Sequence, residues 1–306
     1  MTTLVFGHKS PDTDSTGSPI IWAWYLNEIM NVKAAPALLG EPNTEALFML
    51  NHWELDKPQI IDDVAEDQPV VIVDTNNPAE LPANINNADI KAIIDHHKLV
   101  GGLETKGPIH IVMEPLACTA TIMYKMIGDD IAQMPRGIKG AMLTCILSDT
   151  LEFRSPTTTQ DDKATALALA KDLDVDIAAY AAEMFAAKSD VSSFSEAELL
   201  RMDSKEYEVG GKQFRVSVLE TTSPASVLDR KDALMAAMPG VATKDGADQV
   251  LLFVVDILNE QATMLIPNEL TKTVAEKSFG ATVTGDTVVL PGVMSRKKQI
   301  IPNLKV

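Results

Sequence analysis

Within the first 113 residues lie five short runs rich in β-branched and other apolar residues: TLVFG at 3–7, PQIID at 58–62, PVVIVD at 69–74, IKAIID at 90–95 and IHIVM at 109–113. Several are apolar nearly throughout instead of alternating, as expected of strands buried on both faces of a parallel sheet. Between and after them, stretches 16–31, 43–53, 117–128, 136–149 and 160–171 have helical spacing and length, and 172–187 reads as one more helix. Strands alternating with helices predict a doubly wound, mainly parallel α/β sheet.

The texture then changes. Residues 188–195, KSDVSSFS, are small, polar and aperiodic, and read as a linker. Beyond them comes an α+β mixture, with a helix over 196–204 and another near 226–238. Strands are expected near 205–209, 213–219, 249–258, 261–266 and 287–290. The expected organisation is an N-terminal domain over 1–187, the linker at 188–195 and a smaller C-terminal domain over 196–306. At 306 residues the chain is long enough for two cores.

Composition narrows the functional classes. The formal charge is −17, from 43 acidic against 26 basic residues, a surface that repels nucleic-acid backbones. Aromatic content of 5% leaves little material for base stacking. No apolar run reaches membrane-spanning length and the N-terminus has no secretory pattern, so neither a membrane nor a secreted role is expected. The two cysteines, Cys118 and Cys145, form no CxxC pair, which favours a reducing compartment, the cytoplasm, and speaks against a thiolate metal site.

In an open parallel sheet, ligands bind outside the carboxyl ends of the strands. Strand one runs into His8, Asp12 and Asp14; the 69–74 strand ends in Asp74; the 90–95 strand ends in Asp95-His96-His97; and the 136–149 segment ends in Asp149. Each has an ordinary reading as a turn or helix-capping residue. Four elements each placing such a residue at one edge point instead to a shared pocket. Its carboxylates and imidazoles, without sulfur, suit Mn²⁺, Co²⁺ or Mg²⁺. So many carboxylates stay ionised together only with cations among them, which favours two metals over one.

Five motifs in order, GHKSPDTDS at 7–15, VVIVD at 70–74, IIDHH at 93–97, SDT with SPT at 148–157 and SRKKQ at 295–299, resemble the DHH phosphoesterase superfamily. Within it, the chain is similar to the family II, manganese-dependent inorganic pyrophosphatases of the short form, without a regulatory insert. The resemblance implies hydrolysis of pyrophosphate to two orthophosphates, with a hydroxide generated between two metals attacking in line. It implies two Mn²⁺ per subunit, with Co²⁺ or Mg²⁺ as substitutes, and a further Mg²⁺ arriving with substrate. It also implies a homodimer formed through N-terminal domains.

Carried onto matching positions, the resemblance makes His8 and Asp12 ligands of one metal, Asp14, His96 and Asp149 ligands of the other, and Asp74 the bridge. His97 then faces the substrate as a catalytic group, and Lys205, Arg296 and Lys297 hold phosphate oxygens. Asp95 orients a neighbouring histidine. The chain departs from the family pattern at Thr75-Asn76-Asn77, where His-Asn-Glu is usual, and at Ser10, where Asn is common. Two alternatives remain: a DHH-type phosphodiesterase on short oligonucleotides or cyclic dinucleotides, and a metal-binding regulatory protein without catalysis. The former is disfavoured by SRKKQ standing where a glycine-rich, histidine-containing motif is expected.

Overall fold

The structure, a computed structural model, describes residues 1–306. The chain divides into two compact units, Met1–Ala187 and Lys188–Val306. No helix is long and apolar enough to cross a membrane.

The first unit contains, in order, β1 (Thr3–Phe6), α1 (Thr13–Glu28), β2 (Ala34–Leu38), α2 (Thr44–His52), β3 (Gln59–Ile60), β4 (Pro69–Val73), β5 (Asp89–Asp95), β6 (His110–Met113), α3 (Thr119–Ile127), α4 (Arg136–Asp149), α5 (Gln160–Leu173) and α6 (Ile177–Lys188). Its six strands lie in the order β3-β2-β1-β4-β5-β6, and every pairing is parallel. The expected α/β class is therefore observed. In β4 the run Val70-Val71-Ile72-Val73 is buried throughout, consistent with a strand covered on both faces.

From β1 the chain proceeds to β2 and β3 on one side of the sheet, then returns to β4, β5 and β6 on the other. The topological switch point thus lies between β1 and β4, whose ends are in register with Phe6 opposite Ile72. That crevice is where an open parallel sheet places its ligand.

Several boundaries differ from expectation. Helix α1 begins at Thr13, three residues before the predicted start, because Asp12 caps it by accepting from Ser15 N at 2.9 Å. Strand β2, AAPAL, was not anticipated; a short run of alanines with a proline carries no β-branched signal. The two helices expected over 160–171 and 172–187 are both present, but their boundary shifts: α5 runs on to Leu173, where Asp174 takes a left-handed conformation at φ 54° and ends it, and α6 starts at Ile177. The 58–62 run shrinks to a two-residue edge strand.

The second unit contains α7 (Glu196–Leu199), β7 (Ser204–Val209), β8 (Lys212–Thr221), α8 (Ala225–Leu228), α9 (Lys231–Lys244), β9 (Gln249–Asp256), β10 (Gln261–Leu265), α10 (Glu269–Phe279), β11 (Thr287–Pro291) and α11 (Ile301–Asn303). The sheet order is β11-β10-β9-β8-β7, antiparallel except for β8 with β9. Alternate residues of the fully buried β9 face opposite cores. Leu251, Phe253 and Val255 pack with Val274 and Ala275 of α10, whereas Val250, Leu252 and Val254 pack with Leu234, Met238 and Val241 of α9. Helix α10, which the sequence reading did not include, covers one of those faces. Residues 189–194 are tied into this unit. Ser189 Oγ accepts from Thr222 N and Ser223 N at 3.1 and 3.2 Å, and Arg230 donates to the carbonyls of Val191 and Phe194.

Candidate metal centre

The centre is assembled where the chain leaves β1, β4, β5 and α4. After β1, Gly7 passes against the first turn of α1 so closely that a Cβ there would stand 2.0 Å from Ser15 Oγ. The same hydroxyl accepts from His8 N at 2.8 Å, so the glycine allows the approach that positions His8. His8 Nε2 lies 3.6 Å from Asp12 Oδ2, the oxygen left over from helix capping.

Asp74, immediately after β4, is buried with φ 58°, a left-handed conformation that Asp tolerates better than branched residues. Such strain concentrates at functional sites. It is held by Asp74 N donating to Ile94 O at 2.9 Å. The two carboxylate oxygens face opposite ways: Oδ2 is 3.5 Å from His8 Nε2, and Oδ1 is 3.3 Å from His96 Nε2. Thr119 Oγ1 also donates to Oδ1, at 3.3 Å.

His96 Nδ1 lies 3.1 Å from Leu116 O, a contact in which Nδ1–H donates, and this orients Nε2 towards Asp74 Oδ1, 3.3 Å away. Asp14 is fixed from both sides, Oδ1 accepting from Ser18 Oγ at 2.6 Å and Oδ2 from Thr119 N at 2.7 Å. Asp149 closes α4 and takes a hydrogen bond from the Cys118 thiol. The ligand-capable atoms of His8, Asp12 and Asp74 lie within 4.8 Å of one another, as do those of Asp14, His96 and Asp149, and those of Asp74, His96 and His97. The groups share Asp74 and His96, so all six residues with an expected metal-binding role belong to one connected cluster.

His97 joins the third of these groups, but its Nδ1 is 2.9 Å from Asp95 Oδ1. Its ring is half exposed, leaving Nε2 as the free nitrogen. Buried Asp95 also accepts from His97 N at 3.0 Å and Asn76 Nδ2 at 2.5 Å. Burial pushes the Asp95 carboxyl up, but these bonds from His97 and Asn76 outweigh it and hold it below the usual range.

Electrostatics favour cations in this pocket. Burial, then the neighbouring Asp14 carboxylate, pushes both Asp74 and Asp149 well above the ordinary carboxylate range. Asp74 Oδ2 and Asp149 Oδ2 are buried without any hydrogen-bond donor. Orphaned carboxylate oxygens in a set of aspartates and imidazoles fit divalent cations with oxygen and nitrogen ligands.

In the second unit, Lys205 lies exposed on β7. Arg296 donates to Asp203 O at 2.7 Å and approaches Asp203 Oδ1 at 2.8 Å, which sets it beside the start of that strand. Lys297 follows in a π-helical turn over Arg296–Ile300, capped by Ser295. Gln299 Oε1 accepts from Met294 N and Ser295 N, both at 2.9 Å, so the basic run is anchored in the fold.

Ser15, Cys118, Thr119 and the Leu116 carbonyl support the site without having been singled out from sequence. Their only local signal is adjacency to a turn or helix start. The departures at 75–77 form their own structure. Thr75 Oγ1 donates to Glu80 Oε2 at 2.7 Å, and Asn77 Oδ1 caps a 3₁₀ turn by accepting from Ala79 N at 3.1 Å.

Fold and site together define a protein of the DHH class: residues 2–149 match the DHH family N-terminal domain, and residues 182–306 match the DHHA2 domain. The chain belongs to the family II, manganese-dependent inorganic pyrophosphatases. It is 39% identical over 307 residues to a Deinococcus radiodurans protein named "Probable manganese-dependent inorganic pyrophosphatase", covering 98% of this chain and 97% of that one. A Lactobacillus helveticus protein of the same name is 35% identical over 303 residues, with the same coverage. Among solved structures, a candidate family II inorganic pyrophosphatase from Methanococcus jannaschii is 32% identical at a TM-score of 0.62, over 99% of this chain and 98% of that one. An exopolyphosphatase-related protein from Bacteroides fragilis, 10% identical at a TM-score of 0.51 over 98% of this chain and 89% of that one, shares the fold.

Proposed function

We propose that this chain hydrolyses inorganic pyrophosphate to two orthophosphates, by in-line attack of water at the centre around Asp74. The observation that carries this reading is the divided carboxylate of Asp74, one oxygen turned to His8 and the other to His96. His8 and Asp12 would hold one Mn²⁺, Asp14, His96 and Asp149 the second, and Asp74 both; Co²⁺ or Mg²⁺ suits the same donors. When bound, the pair supplies charge neutralisation and a water acidified towards neutral pH.

The chain's own residues do the rest. His97, its Nδ1–H held by Asp95, presents Nε2 to the substrate, where it places a proton on the leaving phosphate. Asp95 keeps that ring in one orientation and stabilises it when charged. Arg296 grips phosphoryl oxygens in bidentate fashion, whereas Lys205 and Lys297 act as point charges. A further Mg²⁺ accompanying the substrate completes its neutralisation. The domain organisation of the reading is 1–187 and 196–306 joined through 188–195. The functional form is a cytoplasmic homodimer formed through N-terminal domains.

Phosphate release from pyrophosphate, pApA and bis-p-nitrophenyl phosphate, each with Mn²⁺ or Mg²⁺, tests the reading. Rapid turnover of pyrophosphate alone is expected. Preferential cleavage of either ester would make the chain a phosphodiesterase, and manganese binding with no turnover would make it a regulatory protein.

A further inference from the structure

Beside the metal centre the first unit opens into a cavity of about 550 Å³ that reaches from His8 and His97 to Lys9, Lys98, Asn76 and Asn77. Five lysines of this unit, at positions 57, 91, 106, 125 and 139, pair with carboxylates. Of the lysines in this unit without a carboxylate partner, Lys9 and Lys98 are the two that line the cavity, although the chain carries an excess of acidic residues. The one carboxylate of the cavity lining, Glu80, takes the hydroxyl of Thr75.

Both lysines sit on backbone that is held in place. Buried Asn76 donates from Nδ2 to Lys98 O at 3.0 Å and accepts at Oδ1 from Val100 N at 2.7 Å, pinning the loop after His97. The same amide group reaches Asp95 Oδ2, so one side chain fixes both the orienting partner of His97 and the stem of Lys98. Lys9 N donates to Glu80 O at 2.9 Å. On its other side Lys9 O lies so near Gly40 that a Cβ there would stand 2.5 Å away. Two uncompensated ammonium groups on fixed stems, next to imidazoles at the mouth of a carboxylate-lined centre, make an anion subsite.

We propose that Lys9 and Lys98 form a phosphate-binding subsite of the N-terminal unit, holding the phosphoryl group of a condensed phosphate that lies farther from Asp74. The proposal rests on the pyrophosphatase reading of the centre and adds two substrate-holding cations to those of the second unit. It also accounts for the lining at Ser10, Thr75 and Asn77, which adds no carboxylate of its own where the anion would lie.

The test uses the full-length, manganese-loaded protein and the non-hydrolysable analogue imidodiphosphate. Its affinity is measured by calorimetry at several KCl concentrations, alongside manganese content and pyrophosphate kinetics. Lys9→Gln and Lys98→Gln are each expected to weaken analogue binding about fivefold, as for an exposed charge-assisted contact, with a shallower salt dependence and full manganese content. Lys98→Arg and Lys9→Arg should retain most of the affinity. Unchanged affinity in the double Gln variant, or loss of manganese from it, would overturn the subsite. Wild-type protein that binds the analogue through these lysines yet leaves pyrophosphate intact would overturn the pyrophosphatase reading alone.

Discussion

Asp95 Oδ1 lies 2.9 Å from His97 Nδ1, and the same carboxylate is held from its other oxygen by Asn76. His97, which lines the cavity, is therefore oriented by two buried groups in series. Replacing Asn76 with Ala frees one oxygen of Asp95 and releases the loop at Lys98. A drop in kcat of about 10- to 100-fold is expected, the usual effect of losing a partner that orients a site residue. Manganese content should stay full, and steady-state kinetics with metal analysis on the same sample checks both.

Asp74→Asn removes the charge that both halves of the centre share. Metal affinity should fall by more than about 100-fold, beyond the effect of an outer partner, with activity lost in parallel. Manganese titration followed by calorimetry decides it; near-normal retention of both ions would remove Asp74 from its bridging position.

Arg296→Ala should leave metal binding intact while raising KM or lowering kcat, because its guanidinium belongs to the second unit and contacts only Asp203 there. An accompanying loss of manganese would contradict the role given to this residue.

Stability should depend on pH with opposite slopes in the presence and absence of metal. Asp74 and Asp149 have folded-state pKa values raised above those of the unfolded chain, by burial and then by Asp14. Their contribution to stability is complete below the ordinary carboxylate value of about 4 and is lost as pH rises through the raised values. Asp95, shifted downward, acts with the opposite sign but only below that ordinary range. The melting temperature in chelator should therefore fall as pH rises above the ordinary carboxylate value of about 4. If Mn²⁺ binds these oxygens, as proposed, it competes with their protons and its stabilising effect should grow as pH rises. Thermal unfolding with and without chelator measures both slopes.

Much of the site was legible because buried parallel strands announce themselves in sequence, and their carboxyl ends locate the ligand crevice. PVVIVD and IKAIID place Asp74 and Asp95 at that edge before any coordinates exist, and β1 does the same for His8. What sequence could not show was which oxygen faces which partner. The contacts of Asp74 with His8 and Thr119, and the reach of Asn76 across to Asp95, join residues separated by 19 or more positions in the chain. Secondary structure was missed where the local signal was weak. In AAPAL it is the sheet that imposes extension, and ELTKTVAEKSF becomes a helix by burying Val274 and Ala275 on the second unit's core. The boundary between α5 and α6, expected after residue 171, falls two residues later, after Leu173, where left-handed Asp174 ends the helix.

The bare backbone at Gly7 has a consequence for how this chain can change over evolutionary time. Any side chain there meets Ser15, and Ser15 is the residue on which His8 hangs. Positions 7 and 15 can drift only as a coupled pair, and a lineage that lost the glycine first would carry a misplaced imidazole until the serine followed.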